Sequence, residues 1–411
     1  MTITLHGGML IDGRGGDPAP LESLVVDGGR IRAVGGAPAG PSKDIIDLDG
    51  CTVMPGLIDA HSHFGLVEAT GDSHVAPAIT AARIFRNCEL ALMAGFTTVR
   101  DVGGIDGGVA AAVELGLIRG PRILPSGPVL CQTGGHGDER APFGPHHGMH
   151  HDASGVPGLV QKALPCDGPD AVRLAARTAF QRGATQIKVC VSGGVVSVTD
   201  SLEDTQFSVE ELMAAVEEAD ARGTYVTAHA HNSRSIQNGL AAGIQCFEHG
   251  SFLDEETARA IAAAGAALVP TLAVARLFYE KADEWGIPAD MVSRIDGLEE
   301  AMGRSLKLAR DCGVTVGLGT DLLGPEQDRR GLELVLRAAL GDPMEAIVSA
   351  TAVNARILRR DAEIGTVEAG KVADLIAVRG DPLNEPDLFD DPSRVVLVIK
   401  DGVVVKDSRE G

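Results

Sequence analysis

An apolar run near the start of the chain ends in two histidines one residue apart, in Gly56-Leu57-Ile58-Asp59-Ala60-His61-Ser62-His63. Residues i and i+2 of a strand project from the same face. His61 and His63 would therefore stand side by side, as a pair of metal ligands must. Other chemistry-bearing groups recur on later apolar runs. Lys188 lies inside Gln186-Ile187-Lys188-Val189-Cys190-Val191, and Tyr225-Val226-Thr227-Ala228 leads into His229-Ala230-His231. Cys246-Phe247-Glu248 is followed by His249, and Val316-Gly317-Leu318-Gly319-Thr320 by Asp321. Taken singly, each has a structural alternative. A lysine can snorkel from an edge, a histidine can be a hydrogen-bonded core group, and an aspartate can cap the next helix. Taken together they offer the imidazole and carboxylate donors that divalent metals accept.

The elements that must position these groups follow a repeating pattern. Strands are predicted over 57–63, 97–103, 122–130, 186–192, 224–230, 245–249, 267–272 and 314–320. Ala-rich helical stretches follow most of them, such as 208–222, where Ser208 and Glu211 form a predicted capping box, and 254–264. Eight strand–helix units over about 300 residues predict an α/β fold, a (β/α)8 TIM-like barrel spanning residues 56–361. An open doubly wound sheet is the alternative, but the Gly-rich phosphate loop that usually marks it is missing. In such barrels chemistry sits where strands end at the C-terminal face, and the candidates fall on strands one, four, five, six and eight. Residues 1–55 and 362–411 instead show short alternating strands broken by glycine. Asp401-Gly402 between β-branched runs is a hairpin signal. Both ends are read as one small β-sandwich domain. The segment 131–168, rich in His, Gly and Pro, is read as a loop or lid over the barrel mouth. Its His146, His147, His150 and His151 are read as a solvated cluster outside the site.

Composition sets the class. The chain has 411 residues, 44% of them apolar, with 52 glycines and a net charge of −21. That acidity argues against a nucleic-acid partner, which needs clustered Lys and Arg. No apolar run reaches the roughly 18 residues of a membrane span, and no secretory signal opens the sequence. The seven cysteines are scattered without a C-x-x-C spacing, which argues against a disulfide framework and fits a reducing cytoplasm.

In the order of its motifs the chain resembles the amidohydrolase superfamily, in its two-metal form with a lysine bridge. The matching segments run from Met54-Pro55-Gly56 to His63, then Ile187-Lys188-Val189, Ala228-His229-Ala230-His231, Glu248-His249-Gly250-Ser251 and Gly319-Thr320-Asp321. Gly365 to Leu375 resembles the family's return to its β-domain. The resemblance implies that Lys188 is carboxylated to N6-carboxylysine and bridges two divalent metal ions. It implies His61 and His63, with Asp321, on the more buried ion, and His229 and His249 on the more exposed one. Zinc suits these donors best, with manganese or cobalt as alternatives. Burial lowers a lysine's pKa and supplies the neutral amine that carboxylation needs. Two metals about 3.5–4 Å apart would hold a bridging hydroxide and polarise a carbonyl. Asp321 could then pass the proton to a leaving nitrogen. His231 could replace His229, but the resemblance makes the first histidine the ligand and sets His231 against substrate. Asp59 is a candidate support for His61, or else a polar residue of the barrel floor.

Two loops narrow the reaction. Thr133-Gly134-Gly135-His136-Gly137-Asp138 resembles a motif of the prolidase-like, Xaa-Arg/Lys carboxypeptidase-like and ochratoxin-hydrolysing amidohydrolases, which would set His136 against the scissile carbonyl or a substrate carboxylate. Ser192-Gly193-Gly194-Val195-Val196-Ser197 follows the lysine strand, and its glycines would let a substrate approach the backbone, or simply make a tight turn. The expected activity is metal-dependent hydrolysis of the amide bond in a small N-acyl amino acid, dipeptide or related amide. Hydrolysis of a cyclic amide, urea or carbamate is the enzymatic alternative, and a non-catalytic metal-binding barrel the non-enzymatic one. Tyr225, Arg276 and Tyr279 are further candidate substrate contacts. A homo-oligomer is expected from the resemblance.

Overall fold

The computed structural model describes residues 2–36, 44–68, 75–138, 140, 155–156, 158–197, 199–287 and 289–409. The four histidines at 146, 147, 150 and 151 lie outside the described residues, as does much of the expected lid.

The central fold is a TIM barrel of parallel strands. Its staves are Leu57–Ser62, Phe96–Asp101, Arg122–Pro125 continued by Val129–Cys131, Ile187–Cys190, Val226–Asn232, Cys246–Phe252, Ala267–Val269 and Thr315–Val316. Every residue of Ile187–Cys190 is buried, as a strand with helices outside and packed side chains inside demands. The ring closes beyond the eighth strand, where Ala60 N donates to Leu318 O at 3.0 Å and Asp321 N to His61 O at 2.8 Å. Asn354 clamps this seam from below. Its Nδ2 donates to the carbonyls of Ile58 (2.7 Å) and Leu318 (2.8 Å), and its Oδ1 accepts from Leu318 N (3.0 Å).

Two strands are shorter than their apolar runs. The third breaks at Ser126–Pro128, where Gly127 takes a φ of +69° and Pro128 has no N–H to give the ladder. Its lower piece pairs with the second strand and its upper piece with the fourth. The seventh ends at Val269 because Pro270 follows, and a helix begins at Leu272. The capping box forms as read: Glu211 N donates to Ser208 Oγ at 3.3 Å and Ser208 N to Glu211 Oε2 at 2.7 Å, opening the helix Val209–Asp220.

The chain ends build two further sheets. One has four strands from the N-terminal segment (Thr2–His6, Leu24–Asp27, Arg30–Val34 and Asp44–Asp47). The other has six strands and interleaves both ends, with Cys51–Pro55 hydrogen-bonded along Leu375–Arg379. One apolar cluster draws on both sheets, including Ile3, Leu5, Leu24, Val53, Leu375 and Ile399. Asp401 and Gly402 take left-handed φ values of 51° and 75°, the two-residue turn that joins Val395–Lys400 to Val403–Asp407. Among the described residues no helix is long and apolar enough to cross a membrane, and all seven cysteines are free.

Candidate active site and metal centre

The strand ends bring His61, His63, His229, His231, His249 and Asp321 to one rim of the barrel. His61 and His63 project together as the strand period requires, their Nε2 atoms 3.2 Å apart. Asp321 reaches them across the seam, its Oδ1 3.3 Å from His61 Nε2 and 3.2 Å from His63 Nε2. On the far side His229 Nδ1 and His249 Nε2 stand 2.9 Å apart. His249 joins the two groups, its ring centroid 4.9 Å from that of His61 and its Nδ1 3.9 Å from Asp321 Oδ2. His249 and Asp321 both hold left-handed backbone conformations, with φ of 67° and 56°. Such strain costs on the order of 1–3 kcal/mol per residue and concentrates at functional sites. His249 takes this conformation inside Cys246–Phe252, where the pairing with Val226–Asn232 shifts register, and Asp321 takes it beyond the eighth strand.

Local packing explains why the ends fit. A Cβ on Gly319 would fall 2.5 Å from the Cβ of His61, so only glycine lets the eighth strand pass that close. A Cβ on Gly194 would collide with the His136 ring. The carbonyl of Gly193 lies 3.1 Å from His229 Nε2. Gly319 and Gly194 thus make room for His61 and for the ring of His136.

Each candidate ligand has its second ring nitrogen engaged. His61 Nδ1 meets Glu248 Oε2 (2.6 Å), His63 Nδ1 the Gly103 carbonyl (2.7 Å), His229 Nε2 the Gly193 carbonyl and His249 Nδ1 the Thr271 hydroxyl (2.8 Å). Such partners fix ring orientation and leave one lone pair for a metal. Asp59 accepts the backbone N–H of His61 (3.0 Å) and the Thr320 hydroxyl (2.6 Å), and pairs with Arg330; it holds the seam, while Glu248 holds the ring.

Electrostatics agree with a cation site. Burial, with neighbouring imidazoles and Lys188, holds His229 and His249 well below the usual histidine range. His231 is pulled down to about 3, chiefly by burial. These rings are neutral donors at physiological pH. Desolvation alone would raise the carboxyl of Asp321, whose side chain is 17% exposed, yet the imidazoles of His61 and His63 hold it well below the usual range, so it is an anion. Lys188 is only 2% exposed, inside the barrel and not on an edge. Burial lowers its pKa, against the opposing charge of Glu248. The neutral amine, the form that burial favours, is the one that carboxylation needs. Carboxylation would convert it to an anionic oxygen donor, and Lys188 already acts electrostatically on His229 and His249. The donor set therefore fits two divalent cations.

His136 and His231 flank the ligands. The His136 ring stacks on that of His229 at 4.0 Å, with Nδ1 2.5 Å from Ser197 Oγ. The His231 ring lies 4.6 Å from that of His229, with Nδ1 2.8 Å from Ser251 Oγ. Gln206 Oε1 accepts from His136 N (2.9 Å), and Gln206 also lines a cavity of about 420 Å3 with Gln132, Asp200, Glu203 and Arg234. Three expected contacts do not belong to the site. Tyr225 is buried in the barrel floor, where its hydroxyl meets Arg100 (3.2 Å). Arg276 is committed to Glu299 through two 2.6 Å bonds, and Tyr279 is 66% exposed on the same helix. The motif reading gives no role to Glu248, Thr271, Ser197 or Ser251. The one signal for Glu248 is a carboxylate that directly follows the apolar Cys246 and Phe247 on a strand, which must be paired to be buried.

Comparisons with known proteins agree with this geometry. The family model described as "Amidohydrolase family" matches residues 52–405. Ochratoxinase of Aspergillus niger is 34% identical over 98% of this chain and 86% of its own, and its crystal structure superposes with a TM-score of 0.86 over 99% of this chain and 96% of that one. A prolidase solved with N-methylphosphonate-L-proline is 36% identical, with a TM-score of 0.92 over 99% of this chain and all of its own. A Xaa-Pro dipeptidase with methionine in its active site is 31% identical, with a TM-score of 0.89 over 99% of this chain and 100% of that one. A closed barrel with a rim of imidazoles, a family match over most of the chain and relatives more than 30% identical lead to one conclusion: this chain belongs to the amidohydrolase family, metal-dependent hydrolases of carbon–nitrogen bonds.

Proposed function

We propose that this enzyme hydrolyses the amide bond of a dipeptide or a small N-acyl amino acid. The observation that carries this reading is the pair His136 and His231 beside His229. Each has its Nδ1 against a serine hydroxyl. With the hydroxyl as donor, the ring takes the Nε2–H tautomer and presents a neutral donor at the rim. Two such donors suit a scissile carbonyl and a substrate carboxylate. The names of the relatives point the same way: prolidase, Xaa-Pro dipeptidase and ochratoxinase.

His61, His63 and Asp321 would hold one cation and His229 and His249 the other, and a carboxylated Lys188 would supply oxygen donors to the pair. Zinc is the metal the donors suit best. When bound, the ions supply Lewis acidity and a nucleophile at neutral pH. The Asp321 carboxylate, kept ionised by His61 and His63, takes a proton at its oxygen and returns it to the leaving nitrogen. His136 and His231 orient the substrate. Residues 56–361 carry the chemistry, and 1–55 with 362–411 form a supporting β-unit.

The test is turnover of a panel of dipeptides and N-acyl amino acids by the zinc-supplied enzyme. Cleavage of members of that panel in preference to cyclic amides, ureas and carbamates supports the reading. Turnover confined to the latter group overturns it.

A further inference from the structure

One fully buried ion pair lies directly behind the candidate ligands. Arg100, on the second barrel strand, and Glu248, on the sixth, have side chains with no exposure at all. Arg100 donates from Nη2 to Glu248 Oε1 (2.7 Å) and from Nε to the carbonyl of Ala60 (2.5 Å), the residue before His61. The Thr227 hydroxyl also donates to Glu248 Oε1. Glu248 Oε2 is left for His61 Nδ1 at 2.6 Å. Stability is a weak reason for such a pair, because well-packed apolar side chains in its place are often neutral or better. Its geometry supplies a stronger one. With Nδ1–H committed to Glu248, the ring of His61 is held in one tautomer and rotamer. The Nε2 lone pair is then aimed at the space shared with His63 and Asp321. Arg100 grips both the carboxylate and the backbone beside His61, so ligand and support move as one body.

We propose that Glu248, braced by Arg100, is the positioning residue that presents His61 to its metal and sets the affinity of that site. The inference rests on the metal-dependent reading above. Removing a partner of this kind typically weakens metal binding by about 10–100-fold.

Two double variants separate positioning from mere cross-linking. Arg100→Met with Glu248→Leu removes both charges and the acceptor for His61. Arg100→Met with Glu248→Gln removes both charges but restores an acceptor. Zinc affinity is read by chelator competition, with circular dichroism and melting temperature as checks on the fold. The first variant is expected to hold one of two zinc ions about 10–100-fold more weakly, and the second to regain most of that loss at a similar melting temperature. A folded Leu variant with wild-type affinity at both sites overturns the proposal. If the Leu variant does not fold, Glu248→Asp decides. It keeps the charge for Arg100 but shortens the reach to His61, so it must weaken one zinc site, and undiminished affinity again overturns the proposal. Wild-type protein that binds no divalent metal would instead overturn the metal-dependent reading itself.

Discussion

His63 Nε2 and Asp321 Oδ1 stand 3.2 Å apart, although one ends the first barrel strand and the other follows the eighth. The contact crosses the seam where the barrel closes. Burial alone would lower the pKa of His63, but the Asp321 carboxylate raises it. Each group favours the charged form of the other, and a bound cation would favour the Asp321 carboxylate in the same way.

Asp321→Asn keeps the shape of that side chain and removes its charge and basicity. The expected result is a loss of kcat of roughly 10²–10⁴-fold, the usual contribution of a positioned acid–base group. Steady-state kinetics on the best panel substrate checks it.

Lys188→Ala removes the buried amine of the fourth barrel strand. Metal content and turnover should fall together, as measured by elemental analysis and kinetics on one preparation. A short-chain carboxylic acid is expected to restore part of both, because it supplies the oxygen donors that carboxylated Lys188 would.

His136→Ala should leave two metals bound and lower kcat/KM by roughly 10–100-fold, the scale of one hydrogen bond to a charged or polarised group. Retained metal with lost efficiency separates a substrate contact from a ligand.

The ligand candidates are legible in the sequence because strand periodicity is local. His61 and His63 share a face by spacing alone, and the apolar runs around Lys188, His229, His249 and Asp321 mark where strands end. The groups that orient them are not legible. Glu248 meets His61, Thr271 meets His249 and Ser251 meets His231 between different strands, and no spacing encodes those pairs. Arg100 within Thr97-Thr98-Val99-Arg100-Asp101 did carry a signal, because a charge in a buried strand must find a partner. Its partner could not be named without the register. The third strand reads as continuous because Ser126–Pro128 is flanked by apolar residues, and only Gly127 and Pro128 hint at the break.

Asn354 is the clamp of the seam. Asn354→Ala would strand the N–H of Leu318 within the core, take the Asn354 donor from the carbonyl of Ile58, and leave the carbonyl of Leu318 with Ala60 N as its donor. The expected loss is about 3 kcal/mol of stability, read by denaturant unfolding beside the wild type.

Glu333 gives a pH signature away from the site. Burial raises its carboxyl to about 8 in the folded chain, against an ordinary value of 4.5. The folded state then binds more protons than the unfolded state between these values, so this group's stabilising contribution is full below about 4.5 and is lost as pH rises through about 8. Relative to Glu333→Gln, the wild type should lose stability steadily across that window and run parallel outside it. Melting curves over the same pH range check the sign.

The most direct test of the central claim is anomalous diffraction at the zinc edge from crystals grown with zinc. Two peaks are predicted, one among His61, His63 and Asp321 and one between His229 and His249, with density extending from Lys188 Nζ to both. A single peak, or two peaks with Lys188 as an unmodified amine touching neither, would contradict it.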